Sequence, residues 1–188
     1  MKKLLGVVFL SLFLGMNAYA KIFNKTFQFN CNNLFDSETR AIVTITFDDK
    51  TGEIKKGKAT NRKAVVYTSC YANYNRTEIA DASLAVLAAQ GVEVKVHYPE
   101  CCGMPLLEQG NIEKVSFSAE RISESFVEFI EDGYDVITLT SSCALMMKYE
   151  WPLILPDNNS VKLLSENTYD IDEYIVDISK NEGLVEGM

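Results

Sequence analysis

Short apolar runs alternate with amphipathic stretches along most of this chain. Three of the apolar runs are typical of strands. The run near residue 65 is continuous, and the next one alternates with charged residues. Between them, apolar residues recur three and four positions apart, as on one face of a helix. In chain order the predicted strands and helices are 64–68, 77–91, 92–96, 112–130, 134–139, 144–149 and 166–186. This order predicts an α/β fold, a small parallel sheet of βα units flanked by helices.

The first 60 residues follow a different pattern. Met1, Lys2 and Lys3 precede an apolar run over 4–16 and the triplet 18–20, Ala-Tyr-Ala, which predicts a secretion signal over residues 1–20. An uncut N-terminal anchor is the alternative, although the run is shorter than the roughly 20 residues that cross a bilayer. No later segment is long and apolar enough, so we expect no transmembrane span in the mature chain.

A β-hairpin is predicted next. Apolar residues alternate with threonine over 41–47 and a turn sequence follows at 48–52. The predicted organisation is therefore a signal peptide over 1–20, a β-rich extension over 21–60 and an α/β domain over 61–188.

Composition and charge exclude several classes of function. The chain of 188 residues carries 18 basic and 26 acidic side chains, a net charge of -8, which argues against a basic nucleic-acid groove. It contains no glycine-rich phosphate loop, so we expect no dinucleotide cofactor. His97 is the only histidine and would have to serve any histidine-dependent catalysis, but an exposed strand-end residue is the simpler interpretation.

Cysteines follow all three predicted strands of the α/β domain. Cys70 follows the first strand, Cys101 and Cys102 the second, and Cys143 the third. The carboxyl ends of parallel strands meet at one edge of a sheet, so we expect these four thiols to converge. Thiolates are soft ligands that suit iron–sulfur clusters and zinc, and the spacing alone favours neither. A fifth cysteine, Cys31, lies outside this set.

Three motifs give the chain a family resemblance. The segments are 69–75 (SCYANYN), 100–110 (ECCGMPLLEQG) and 142–156 (SCALMMKYEWPLILP). In this order they resemble the cysteine-rich CCG domain found in the "B" polypeptide of heterodisulfide reductase, the glycolate oxidase iron–sulfur subunit and the "C" polypeptide of anaerobic glycerol-3-phosphate dehydrogenase. The resemblance covers about residues 62–185. One CCG unit is present, and Thr140 stands where many members have a further cysteine.

The resemblance implies a function and a ligand set. It implies an electron-transferring subunit of an oxidoreductase, with an iron–sulfur cluster of the [4Fe-4S] type bound by Cys70, Cys101, Cys102 and Cys143. Partners would be other redox subunits, such as a flavoprotein dehydrogenase or a ferredoxin-like module. The family implies a cytoplasmic location or the cytoplasmic face of the inner membrane, which conflicts with the export that the predicted signal peptide indicates.

Two other interpretations remain open. The four thiolates suit a structural zinc site equally well. Alternatively the chain is an exported α/β protein whose cysteines form disulfides. Several residues near the motifs would be neighbours of a site, but ordinary packing or solvation also explains them; these are Tyr71, Tyr74, Lys148, Glu150 and Trp151.

Overall fold

A four-stranded parallel sheet forms the centre of the protein in a computed structural model, which describes residues 57–185. The strands are β1 (Lys63–Tyr67), β2 (Glu93–Val96), β3 (Asp135–Thr138) and β4 (Thr168–Asp170). Their order in the sheet is β2-β1-β3-β4, and every neighbouring pair is parallel.

Helices connect the strands. In chain order they are α1 (Ser69–Tyr74), α2 (Thr77–Ala89), α3 (Met104–Glu108), α4 (Ile112–Glu131), α5 (Ser141–Leu145), a π-helical turn (Met146–Glu150), α6 (Trp151–Ile154), α7 (Asn159–Glu166) and α8 (Ile171–Asn181). The long helix α4 begins at the N-cap Asn111, whose side chain accepts a hydrogen bond from the amide of Lys114. A capping box formed by Asp170 and Glu173 starts α8.

Each face of the sheet is covered by its own apolar cluster. On one face, Val65 and Val136 pack with Ile122 and Phe126 of α4 and Leu164 of α7. The other face has a second cluster, formed by Val66, Val94 and Ile137 of the sheet, Leu87 of α2, and Tyr174 and Ile178 of α8. Because both faces are buried, the strands are apolar at consecutive positions and not only at alternate ones.

The strand order creates a switch point between β1 and β3. From β1 the chain moves outward to β2 through α2, then returns past β1 through α4 to form β3 on the other side. Connections that leave in opposite directions open a crevice at the carboxyl ends of these two strands, where open α/β sheets bind their ligands. Cys70 follows β1 and Cys143 follows β3, so both lie at this crevice.

The predicted α/β fold is confirmed, and the boundaries of its main elements agree within a few residues. The long helix predicted at 112–130 is observed as Ile112–Glu131. In the closing segment the helix begins only at Ile171, because residues 166–170 instead complete α7 and form β4. The predicted signal peptide and β-hairpin lie outside the described residues. Within residues 57–185, no helix is long and apolar enough to cross a bilayer.

Candidate functional site: a four-thiol edge

Four cysteine sulfurs meet in two pairs at the carboxyl edge of the sheet. The Sγ atoms of Cys70 and Cys101 lie 3.7 Å apart, and those of Cys102 and Cys143 lie 3.3 Å apart. All four cysteines are free thiols. Each pair joins the loop after β2 to a different strand end, β1 for Cys70 and β3 for Cys143. The predicted convergence of four thiols from three strands therefore holds in the structure.

The loop that carries Cys101 and Cys102 is held by groups on both sides. Tyr67, the last residue of β1, donates its buried hydroxyl to the carbonyl oxygen of Glu100 at 2.6 Å. The carboxylate of Glu100 pairs with Arg121 of α4 at 2.7 Å. Gly103 follows with a φ of 81°, in the left-handed region that glycine adopts without a steric penalty. The CCG sequence thus turns sharply from the loop into α3.

Ser69 joins the first and third strand ends. Its Oγ lies 3.0 Å from Oγ1 of Thr140, and it also accepts a hydrogen bond from the amide of Ala72 at 3.3 Å. Ser69 is the one non-glycine residue of the described chain with a positive φ, 59°. Such a conformation costs a serine about 1–2 kcal/mol, and residues held in it concentrate at functional sites. It places Cys70 directly against the loop of the second strand end.

The two thiol pairs differ in exposure and acidity. Cys102 and Cys143 are each 3% exposed, whereas Cys70 and Cys101 are half-buried. One proton shared across the Cys102–Cys143 contact lowers the pKa of Cys102 to about 7 and raises the pKa of Cys143. Burial raises the pKa of Cys101 to about 11. At neutral pH Cys102 therefore has a greater tendency than Cys101 to carry a negative charge.

The only histidine belongs to the core and not to the thiol edge. Nε2 of His97 lies 3.0 Å from Oγ of Ser125, and the ring packs against Phe126 and Phe129 of α4. Burial lowers the pKa of His97, so its neutral form prevails at physiological pH. The expectation of an exposed strand-end histidine is wrong, because the ring is half-buried against α4.

Other residues near the motifs serve different purposes. Lys148, in the π-helical turn, forms an ion pair with Glu173 of α8. Trp151 is fully buried beside Met146 and Met147, and its indole N–H has no hydrogen-bond partner among residues 57–185. Tyr71 and Tyr74 are exposed on α1, next to Cys70.

The thiol edge offers a donor set that fits an iron–sulfur group. Cys70, Cys101, Cys102 and Cys143 supply four soft sulfur donors at one edge, the ligand number and type that such clusters use. Over the described part of the chain, no three cysteine, histidine or acidic side chains are gathered as a preformed site for one metal ion. Tetrahedral zinc holds its four sulfurs about 2.3 Å from the metal and so about 3.8 Å from one another, and the two pair distances therefore do not separate zinc from an iron–sulfur group.

Sequence reasoning identifies the four thiols but not the residues that position them. The pattern marks Tyr67 only as a residue of the first strand, although its hydroxyl fixes the loop before Cys101. Ser69 stands out only as part of a motif, because a positive φ has no signal in a serine. Thr140 stands out only as a replacement for cysteine, and the structure places its hydroxyl on Ser69.

Comparison with known proteins agrees with this geometry. Residues 64–148 match the model of a family described as "Cysteine-rich domain" (CCG). Lactate utilization protein A of Bacillus cytotoxicus is 28% identical over 125 residues, which cover 63% of this chain and 49% of the relative. The "C" polypeptide of the anaerobic glycerol-3-phosphate dehydrogenase of Escherichia coli K12 is 32% identical over 95 residues, 50% of this chain and 24% of the relative.

A third relative is matched over a smaller share of its own length. The "B" polypeptide of the fumarate reductase (CoM/CoB) of Methanothermobacter marburgensis is 30% identical over 113 residues, 59% of this chain and 20% of the relative. The chain thus spans half or less of the length of these three proteins. No solved structure matches it. The match of the family model spans β1 to the π-helical turn and includes all four paired thiols, so residues 64–148 form a cysteine-rich domain of the CCG family.

Proposed function

We propose that this domain is an iron–sulfur electron-transfer module of an oxidoreductase. The observation that carries the proposal is the meeting of four thiols from three strand ends at the switch point of the sheet. Two of the relatives are named as subunits of a glycerol-3-phosphate dehydrogenase and of a fumarate reductase, which supports a role in a redox assembly.

Cys70, Cys101, Cys102 and Cys143 would hold the cluster, which we propose to be of the [4Fe-4S] type. When bound, such a cluster supplies transfer of single electrons. The protein contributes the positions of the sulfurs, through the Tyr67 hydroxyl on the Cys101 loop and the Ser69–Thr140 contact between strand ends. The core against Cys102 and Cys143, which includes the fully buried Met146 and Trp151, keeps water from the inner half of the site.

The half-buried pair gives the proposed cluster a way to exchange electrons. Cys70 and Cys101 lie at the surface side of the site, and the exposed rings of Tyr71 and Tyr74 lie close to Cys70 in the chain. A redox partner could approach the cluster from this side. We propose a flavoprotein dehydrogenase or a ferredoxin-like module as that partner.

Metal analysis under exclusion of oxygen tests the proposal. We expect the full chain, produced anaerobically, to contain iron and acid-labile sulfide in equal amounts and to give a cluster absorption and paramagnetic resonance spectrum. Replacement of Cys143 by serine should abolish most of the iron, since it removes a ligand from the buried pair. Cys31→Ser is the matched control, because Cys31 lies outside the ligand set and its loss should leave iron unchanged.

The competing interpretations give different results in the same assay. Stoichiometric zinc without sulfide would establish a structural zinc site instead. Protein that is isolated without metal and with few free thiols, Cys102 and Cys143 included and before any oxidant is added, would favour the exported, disulfide-containing form. Fractionation of the producing cells then decides between export and the cytoplasm. We expect the iron-containing form in the cytoplasmic fraction, because cysteines stay reduced there and can bind a cluster, whereas an oxidising compartment would convert them to disulfides.

A further inference from the structure

The half-buried thiol pair is arranged for chemistry of its own. Cys70 and Cys101 approach each other to 3.7 Å between sulfurs, and both are partly open to solvent. A disulfide bond is about 2.05 Å long, so closure needs a movement of less than 2 Å along this contact. Cys70 is the second residue of a short helix and Cys101 lies in a loop, so neither cysteine is part of a strand.

The buried pair is placed differently. Cys102 and Cys143 are 3% exposed and lie in the apolar cluster with Met146, Met147 and Trp151. A dissolved oxidant reaches these sulfurs only after the apolar packing around them opens locally. The sulfurs of the buried pair are therefore closer together, at 3.3 Å against 3.7 Å, but less accessible.

We propose that Cys70 and Cys101 form a peroxide-reactive thiol pair that closes into a disulfide when the domain holds no metal, while Cys102 and Cys143 stay reduced. The proposal assigns a modification site and its pairing. It does not require the proposed cluster, but closure would remove two of the four sulfurs from that cluster's ligand set.

The chemistry takes place in two steps. The thiolate of one cysteine attacks a peroxide oxygen, the O–O bond breaks, and the products are a sulfenic acid and hydroxide. The neighbouring thiol then attacks the sulfenic sulfur, the S–S bond forms, and its proton leaves with the hydroxyl group as water. In total, two thiols and one hydrogen peroxide give one disulfide and two molecules of water.

Access determines which pair reacts. Thiolate content alone would favour Cys102, whose pKa is about 7, over Cys101, whose pKa is raised by burial to about 11. The peroxide must nevertheless reach the sulfur, and Cys102 is covered by the core. Sensor cysteines combine thiolate character with solvent access and a resolving thiol alongside, and of the two pairs only Cys70–Cys101 has both the access and the neighbouring thiol.

A link between the adjacent Cys101 and Cys102 competes with this pairing. A disulfide between neighbouring residues departs from ordinary disulfide geometry and stores strain. Cys101 already contacts Cys70, and Cys102 already contacts Cys143, across the gaps between strand ends. Pairing between strand ends keeps the contacts that the fold has established.

Peptide mapping of the oxidised chain tests the assignment. The full chain carrying Cys31→Ser is reduced, freed of metal with a chelator, treated with one equivalent of hydrogen peroxide, blocked with an alkylating agent and cut with trypsin. We expect peptides 64–76 and 96–114 to be joined by a disulfide, and peptide 122–148 to carry alkylated Cys143. The joined peptides should form about tenfold faster than any product at Cys143.

Single replacements assign the sulfurs. Because Cys101 and Cys102 share a peptide, the link must survive Cys102→Ser and disappear in Cys101→Ser. In Cys101→Ser we expect dimedone to trap a sulfenic acid on Cys70, a result that does not depend on assembly of any cluster. Cys143→Ser is the matched control, and it should still form the 64–76 to 96–114 link.

Four results would overturn the inference. They are a link between Cys101 and Cys102, a link from Cys70 to Cys102, oxidation of Cys143 before Cys70, and further oxidation of Cys70 without any link. Failure of the proposed function shows up differently, as an anaerobic chain without iron that still forms the Cys70–Cys101 disulfide.

Discussion

The two ends of the central sheet are built from opposite kinds of interaction. At the amino end, Arg62 lies just before β1. It pairs with Asp177 of α8 at 2.6 Å and with Glu182, the residue after α8, at 2.9 Å. Its guanidinium also lies over the ring of Tyr174, 5.3 Å from the centroid. The Tyr174 hydroxyl in turn donates to Asp135 at the start of β3.

Among the residues that the structure describes, the carboxyl end has ion pairs at its margins, Glu100–Arg121 and Lys148–Glu173, but none among its four thiols. Its four thiols contact one another in pairs, and Ser69 holds an unfavourable backbone conformation beside them. Thiols are weak hydrogen-bond donors and acceptors, so these contacts contribute little to folding. The interactions at the amino end thus stabilise the fold, whereas the carboxyl end keeps its reactive groups available for a ligand.

Removal of the arginine at the amino end should have the largest effect on stability. We expect Arg62→Met to lower the free energy of unfolding by about 1–3 kcal/mol, because a guanidinium that is only 17% exposed is lost from two carboxylates that are 46% and 26% exposed. Urea denaturation of the metal-free chain measures this change. The reaction of Cys70 with a thiol reagent under native conditions should keep its rate.

Arg76→Met is the matched control for this prediction. Arg76 also forms an ion pair, with Glu78, but both side chains are exposed, and such pairs often contribute nothing measurable. If the two variants unfold at the same urea concentration, the ion pairs of Arg62 do not stabilise the fold more than an exposed ion pair does. If Arg62→Met alters thiol reactivity strongly, the two ends are not independent.

Loosening the loop of the carboxyl end should cost less. Tyr67→Phe removes the hydroxyl that donates to the carbonyl of Glu100 and leaves that carbonyl without this partner. We expect a loss of about 1–2 kcal/mol in the free energy of unfolding. The loop should also move more freely, so Cys101 should be alkylated faster than in the unaltered chain. Unchanged alkylation would show that Gly103 and Arg121 hold the loop without Tyr67.

The difference between the two ends also explains what the sequence could reveal. The placement of Cys70, Cys101, Cys102 and Cys143 follows from parallel topology, because residues after successive strands must meet at one edge. The pairing was not predictable, since strand order decides which strand end faces which. Strand β4 was missed because its three residues are too short to show a period.

The sequence also does not predict that Arg62 pairs with residues of α8. Asp177 and Glu182 lie more than 100 positions away in the chain, and nothing local connects them to Arg62. Long-range ion pairs of this kind depend on how the last helix packs, which follows from tertiary structure and not from local pattern. The closing helix itself was predicted because its buried positions, such as Tyr174 and Ile178, repeat at helical spacing.

The backbone strain at Ser69 can be measured with a pair of variants. Ser69→Ala and Ser69→Gly both lose the hydroxyl contacts to Thr140 and to the amide of Ala72. Only glycine relieves the cost of the positive φ. We therefore expect Ser69→Gly to be about 1 kcal/mol more stable than Ser69→Ala in urea denaturation of the metal-free chain. Equal stabilities would mean that the conformation at residue 69 stores no strain.

The smallest expected effect concerns His97, which follows β2 but belongs to the core. Burial lowers its pKa below the ordinary 6.5, so the unfolded chain binds the proton more readily than the folded chain does. The contribution of neutral His97 to stability is then complete above pH 6.5 and is lost as the pH falls through the lowered value.

We expect His97→Gln to flatten the decline in stability between about pH 7 and pH 5, measured by urea denaturation. Carboxylates and thiols titrate in both chains and cancel in the difference. A wild-type chain that declined no more steeply than His97→Gln would place the ring in contact with water, at odds with its packing against Phe126 and Phe129.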